Sequence, residues 1–200
     1  MTAERTPRSF RRTAGKTVRP AAATAYVISH THWDREWYQP FQTFRKRLVC
    51  QLGELIRIME RDPSFRYYHL DGQTRIVQDF VDACPEMAGR LAALIRAGRI
   101  LIGPWYVMPD EFLVSGESLI RNLLFGRREC RGLGCRPLPV GYVTDIFGHI
   151  SQFPQLLRGF GIDAVLLHRG TAGDGDRSEM VWYGADGAPI LLLRVNIEAG

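Results

Sequence analysis

The sequence predicts an α/β fold with parallel strands, and three observations carry that reading. Short apolar, β-prone runs alternate with stretches whose apolar residues recur at helical spacing, an order that implies helical crossovers between parallel strands. A polar or aromatic cluster follows each run: HTHWDREWY at 30–38, DGQT at 71–74, GPWY at 103–106, TDIFGH at 144–149 and HRG at 168–170. In a parallel sheet or barrel such strand ends share one face, where α/β proteins bind ligands. Finally, 46% hydrophobic and 24% charged residues over 200 positions suit one domain with a real core.

Taken in order, residues 25–30 read as a buried strand that runs into the first cluster. Leu48, Leu52, Leu55, Ile56 and Met59 then recur at the spacing of an amphipathic helix over 46–61, which Asp62-Pro63 ends. Residues 66–70 are β-prone. Two helices follow at 74–84 and 85–97, the second opening on Pro85 and closing at Gly98. A strand at 100–102 precedes a helix over 117–129, with Ser115 in its N-cap region. A strand at 139–143, a short helix at 152–159 and a strand at 164–167 come next. A polar, Gly- and Asp-rich loop at 171–179 leads to a hairpin, in which Trp182-Tyr183 and 190–195 flank Ala185-Asp186-Gly187-Ala188.

Composition narrows the function classes. Of the 26 basic and 21 acidic residues, six basic and only Glu4 fall within 1–20. The net charge of +5 therefore belongs to a basic tail over 1–22, expected to be disordered, and the domain at 23–200 is balanced. A nucleic-acid partner is not indicated, and no apolar run is long enough to span a membrane. The tail lacks the apolar segment of a secretory signal, though a transit peptide fits its composition. Four cysteines form no CxxC pair, and Cys50 and Cys84 read as buried thiols in a reducing, cytoplasmic compartment.

The chemistry is expected at the first cluster. If the strand continues, His30, His32 and Asp34 share one side of it, and two imidazoles with a carboxylate are suitable Zn²⁺ ligands. The same residues also fit a polar surface loop. Trp37 and Tyr38 suit the apolar face of a sugar ring; Trp33 reads as packing.

Three motifs in order make the chain resemble glycoside hydrolase family 38, the zinc-dependent retaining α-mannosidases, and within it the bacterial branch with mannosylglycerate hydrolases. They are His30-Thr31-His32-Trp33-Asp34, residues 103–111 (GPWYVMPDE) and Asp145-Ile146-Phe147-Gly148-His149. The resemblance implies a (β/α) barrel-like catalytic domain, here incomplete at its C-terminal end, acting on a mannose-containing carbohydrate. It implies His32, Asp34 and Asp145 as zinc ligands, with Asp145 also the catalytic nucleophile, and places His30 just outside them. It implies Trp37, Phe147 and Arg169 as residues lining the sugar pocket, and a supporting role for Asp110 and Glu111. His149 fits either an orienting residue, for Asp145 or a loop carbonyl, or a packed core histidine. Read alone, Asp145 equally fits a turn-capping residue; the other motifs favour chemistry. Thr144 departs from the proline usual there in bacterial relatives.

The family's remaining zinc ligand, a His, and its acid/base Asp match no position up to Gly200. The expectation is that the missing C-terminal part, or a second subunit, is needed for full activity, and that the 200-residue chain alone hydrolyses poorly. The competing reading is a non-catalytic remnant that binds zinc or sugar weakly. A metal-dependent carbohydrate deacetylase also uses His and Asp ligands, but it leaves Trp37 and the Asp145 motif unexplained.

Overall fold

The computed structural model describes residues 27–170 and 178–195; the basic tail and most of the 171–179 loop lie outside the described residues. The elements follow in the order β1 (Ser29–Thr31), α1 (Phe41–Arg61), β2 (Tyr68–Leu70), α2 (Arg75–Val81), a 3₁₀ turn at Pro85–Met87, α3 (Ala88–Arg96), β3 (Ile100–Leu101), α4 (Gly116–Gly132), β4 (Gly141–Val143), α5 (Phe153–Gly159), β5 (Ala164–Leu167), β6 (Glu179–Tyr183) and β7 (Pro189–Arg194). The α/β alternation is as the periodicity predicts.

The strands form two sheets. In the first, β1, β2 and β3 lie side by side, all parallel, with His30 opposite His69 and His69 opposite Leu101. In the second the order is β4-β5-β7-β6; β4, β5 and β7 are parallel, and β6 pairs antiparallel with β7 as the expected hairpin. The barrel expected from the resemblance is not closed among these residues. Prolines explain the seam. Pro104 follows β3, and Pro137 and Pro139 precede β4, so the backbone there lacks the donors of a ladder. What joins the sheets is local: Leu138 N–H donates to the Ile102 carbonyl at 3.0 Å, and the Trp105 indole donates to the Tyr142 carbonyl at 2.9 Å.

The expected strand over 25–30 is corrected. Val27 and Ile28 are exposed at 91% and 65%, and β1 begins only where β2 offers a partner at Tyr68. Helix α1 starts five residues earlier than its leucines suggest, directly after Pro40, because Phe44 extends the buried stripe of Leu48, Leu52, Leu55, Ile56 and Met59. The Ser115 hydroxyl accepts from Ser118 N–H at 3.2 Å and caps α4. Cys50 is exposed rather than buried, since it faces away from that stripe, and Cys84 is half-buried; all four thiols are free.

Each sheet has its own core. Leu48, Leu52, Ile56, Phe80, Leu91 and Ile95 pack over the first; Trp105, Phe153, Leu157, Val165 and Leu167 pack at the second. Helix α4 approaches the seam closely at Gly126, where a Cβ would stand 2.2 Å from the Pro104 carbonyl oxygen. No helix among the described residues is long and apolar enough to cross a membrane.

Candidate metal centre and cleft

Parallel strands put the residues that follow β1 and β2 at one end of the first sheet and those that follow β4 and β5 at one end of the second, and His32 and Asp145 meet between these ends. His32 follows β1, and Asp145 stands two residues beyond β4. The His32 Nε2 atom lies 3.2 Å from Asp145 Oδ2 and 3.5 Å from Asp34 Oδ2. One ligand atom from each of the three residues falls within 4.8 Å of the others, a spacing one ion can satisfy. The donor set of one imidazole and two carboxylates suits a divalent metal of zinc type.

The period of a strand is not what brings His32 and Asp34 together. Strand β1 stops at Thr31, which is buried, whereas His30 is exposed beside His69 and lies outside the group. The loop after β1 is held instead by two carboxylates that sequence reasoning passed over. Asp71, fully buried after β2, accepts from Trp33 N–H at 2.7 Å and from Gln73 Nε2 at 3.0 Å, and it lies 3.2 Å from His32 Nδ1. Asp79 on α2 accepts from Arg35 and Arg75. The available signal for Asp71 was its place in the DGQT cluster, which ends a strand just as the first motif does.

Electrostatics follow from these neighbours. The Asp71 hydrogen bond, against the burial that lowers it, and the charges of Asp71, Asp34 and Asp145 push the His32 imidazole up to about 9. Burial brings His69 down to about 4; its ring accepts from Gly72 N–H at 3.2 Å and lies against Tyr142.

Asp145 uses its oxygens differently. Oδ2 faces His32, while Oδ1 is ion-paired with Arg169 Nη2. The Arg169 guanidinium also sits 4.5 Å over the Phe147 ring. His149 touches neither oxygen of Asp145. Its Nδ1 is 2.7 Å from Glu111 Oε1 and its Nε2 is 3.0 Å from the Arg169 carbonyl, so it braces the loop that carries Arg169. Burial lowers the His149 pKa, but the Glu111 hydrogen bond, helped by the Arg169 carbonyl and the Glu111 charge, outweighs it, and the net shift is upward. Glu111 is the buried carboxylate of the Pro-Asp-Glu segment and also accepts from Ile150 N–H at 2.9 Å; Asp110 lines the cleft.

The cleft holds about 390 Å³ and is bounded by His32, Asp34, Glu36, Gln73, Met108, Asp110, Asp145 and Phe147 among others. Phe147 is 69% exposed, an aromatic ring at a polar site with Arg169 over one face. Trp37 is 74% exposed and packs edge-on against Tyr38, outside the lining of the cleft.

The family described as Glycosyl hydrolases family 38 N-terminal domain matches residues 22–198. A protein of Halalkalibacterium halodurans, provisionally named a mannosylglycerate hydrolase, is 38% identical over 180 residues, covering 84% of this chain and 20% of the relative. An α-mannosidase of Saccharomyces cerevisiae is 27% identical over 172 residues, covering 83% of this chain and 16% of the relative. Among solved structures, an α-mannosidase from Enterococcus faecalis V583 superposes with a TM-score of 0.80 at 38% identity, over 84% of this chain and 19% of that one. The chain thus spans about a fifth of the length of the Halalkalibacterium relative and of the Enterococcus structure.

Proposed function

Because the chain belongs to glycosyl hydrolase family 38, as its N-terminal domain, we propose that it carries the nucleophile and part of the metal site of an α-mannosidase-type glycosidase that retains configuration. The observation that carries this reading is the convergence of His32, Asp34 and Asp145 within 4.8 Å, in a cleft that an exposed phenyl ring also lines. Mannoside chemistry is supported by the α-mannosidase relatives.

The donor set fits Zn²⁺, which His32 Nε2, Asp34 and Asp145 Oδ2 would hold. Bound there, the ion supplies positive charge for the sugar's vicinal hydroxyls and for keeping the carboxylates ionised. The protein groups do the rest. Asp145 Oδ1, steadied by Arg169, attacks the anomeric carbon; the bond to the leaving oxygen breaks, and that oxygen departs with a proton from an acid or solvent. Water then attacks the same carbon and gives its proton to a base or to solvent, the ester to Asp145 breaks with its carboxylate restored, and mannose leaves with configuration retained. Phe147 offers its face to the ring, and His149, braced by Glu111, keeps the Arg169 loop in place.

The test uses a dinitrophenyl α-mannoside, whose leaving group departs without protonation, so an acid residue is not required. The expected result is slow, zinc-dependent phenolate release and a mannosyl ester on Asp145 detected by mass spectrometry, both lost in Asp145→Asn. Phenolate release that persists in Asp145→Asn, or a label elsewhere, overturns the assignment. A chain that binds zinc but neither turns over nor becomes labelled supports the non-catalytic alternative.

A further inference from the structure

We propose that Asp71 is a positioning residue for the metal site: it holds His32 in the tautomer and orientation that present Nε2 to the ion, an inference that rests on the metal reading above. Asp71 is fully buried at the end of β2, at a φ of 45°. Its Oδ2 already accepts from Trp33 N–H at 2.7 Å and Gln73 Nε2 at 3.0 Å. The Gln73 amide cannot be turned over without loss. Its Nε2 also donates to the Trp33 carbonyl at 3.0 Å, and its Oε1 accepts from Met108 N–H at 3.2 Å.

The carboxylate therefore offers His32 only lone pairs. His32 Nδ1 lies 3.2 Å from Oδ2 and 3.4 Å from Oδ1, so Nδ1 must carry the proton. Nε2, the nitrogen that faces Asp145 and Asp34, is then the one that gives up its proton to an ion. Next to Asp71, Gly72 adopts φ 66°, and a Cβ there would stand 2.9 Å from the Tyr142 ring, so the turn that aims Asp71 is tightly specified. A carboxylate behind a ligating imidazole fixes its direction and raises its basicity.

The informative change is Asp71→Asn, which keeps the size and tolerates positive φ. To satisfy Trp33 N–H and Gln73, its oxygen must replace Oδ2, which turns the amide NH₂ towards His32 Nδ1. His32 can then only accept there, its proton moves to Nε2, and the ligand nitrogen is lost. Titrated with zinc alone, Asp71→Asn is expected to bind about 10–100-fold more weakly than wild type, with an unchanged far-UV circular dichroism spectrum. Independently of any variant, long-range ¹H–¹⁵N NMR of the zinc-loaded wild-type chain is expected to show His32 protonated at Nδ1 and metallated at Nε2. A folded Asp71→Asn that binds zinc as tightly as wild type, or zinc on Nδ1 in the wild-type spectrum, overturns the proposal. If Asp71→Asn does not fold, the wild-type spectrum decides alone. A wild-type chain that takes up no zinc overturns the metal reading and this proposal with it; uptake through the wrong nitrogen overturns this proposal only.

Discussion

Arg35 donates to both oxygens of Asp79, from Nε at 2.6 Å and from Nη2 at 3.1 Å, and so ties the loop carrying His32 and Asp34 to helix α2. Asp79 is 1% exposed and shares Oδ1 with Arg75 Nε at 2.9 Å, so one buried carboxylate serves two guanidiniums. That sharing makes the two arginines redundant in part.

Arg35→Ala or Arg75→Ala should each cost about 1 kcal/mol, because the other arginine still neutralises Asp79. The double variant should cost about 3–5 kcal/mol, more than the sum, since it strands a buried charge. Urea unfolding of the four chains closes the cycle; strict additivity would show that Asp79 does not depend on this pair.

Acid stability should depend on His69. Its folded-state pKa is depressed to about 4 from 6.5, so its contribution is complete above 6.5 and disappears as pH falls towards 4, where the unfolded chain binds a proton that the folded chain refuses. The loss amounts to about 3 kcal/mol. His69→Phe should flatten the stability curve between pH 6.5 and 4 by chemical denaturation; an unchanged slope would contradict the burial argument.

The alkaline side should depend on the His149–Glu111 pair. Both His149 nitrogens face acceptors, a carboxylate and a carbonyl, so the ring is held as the cation and its folded-state pKa is raised. Its stabilisation is complete below 6.5 and is lost as pH rises through the raised value. Glu111→Gln should lower stability most at pH 6 and least at high pH. A constant difference between the two chains across that range would show that the pair does not titrate.

Zinc binding should itself depend on pH. In the metal-free protein His32 titrates at about 9, so below that pH the ion must displace one proton. Observed affinity should rise about tenfold per pH unit from 7 to 9 and then level. Competition with a chromophoric chelator measures it; a flat profile would mean that His32 is not a ligand.

How much of this was legible beforehand differs between residues. The stripe of Leu48, Leu52 and Ile56 is recognisable within about two turns of helix. His32, Asp34 and Asp145 could be named as candidates because each lies in a short, ordered motif. The strand argument that first grouped His30 with His32 did not survive, since β1 ends at Thr31 and leaves His30 exposed.

Asp71, Asp79 and His69 were not legible as neighbours of the site, and Glu111 was marked by its motif without its partner His149. In sequence, Asp71 lies 38 residues from Trp33, Asp79 lies 44 from Arg35, and His149 lies 38 from Glu111. No local period encodes such pairs. Ladder bonds between β3 and β4 are few because Pro104, Pro137 and Pro139 lie along that seam, which matters only once those segments face each other. The sequence by itself determined which segments become helix or strand, because that follows from spacing within a few residues, and its short motifs marked His32, Asp34 and Asp145 as candidates. The tertiary structure alone decided which carboxylate holds which imidazole and which charges are buried. Desolvation and hydrogen bonding depend on the neighbours that the fold brings to a group, and here those neighbours come from distant strands.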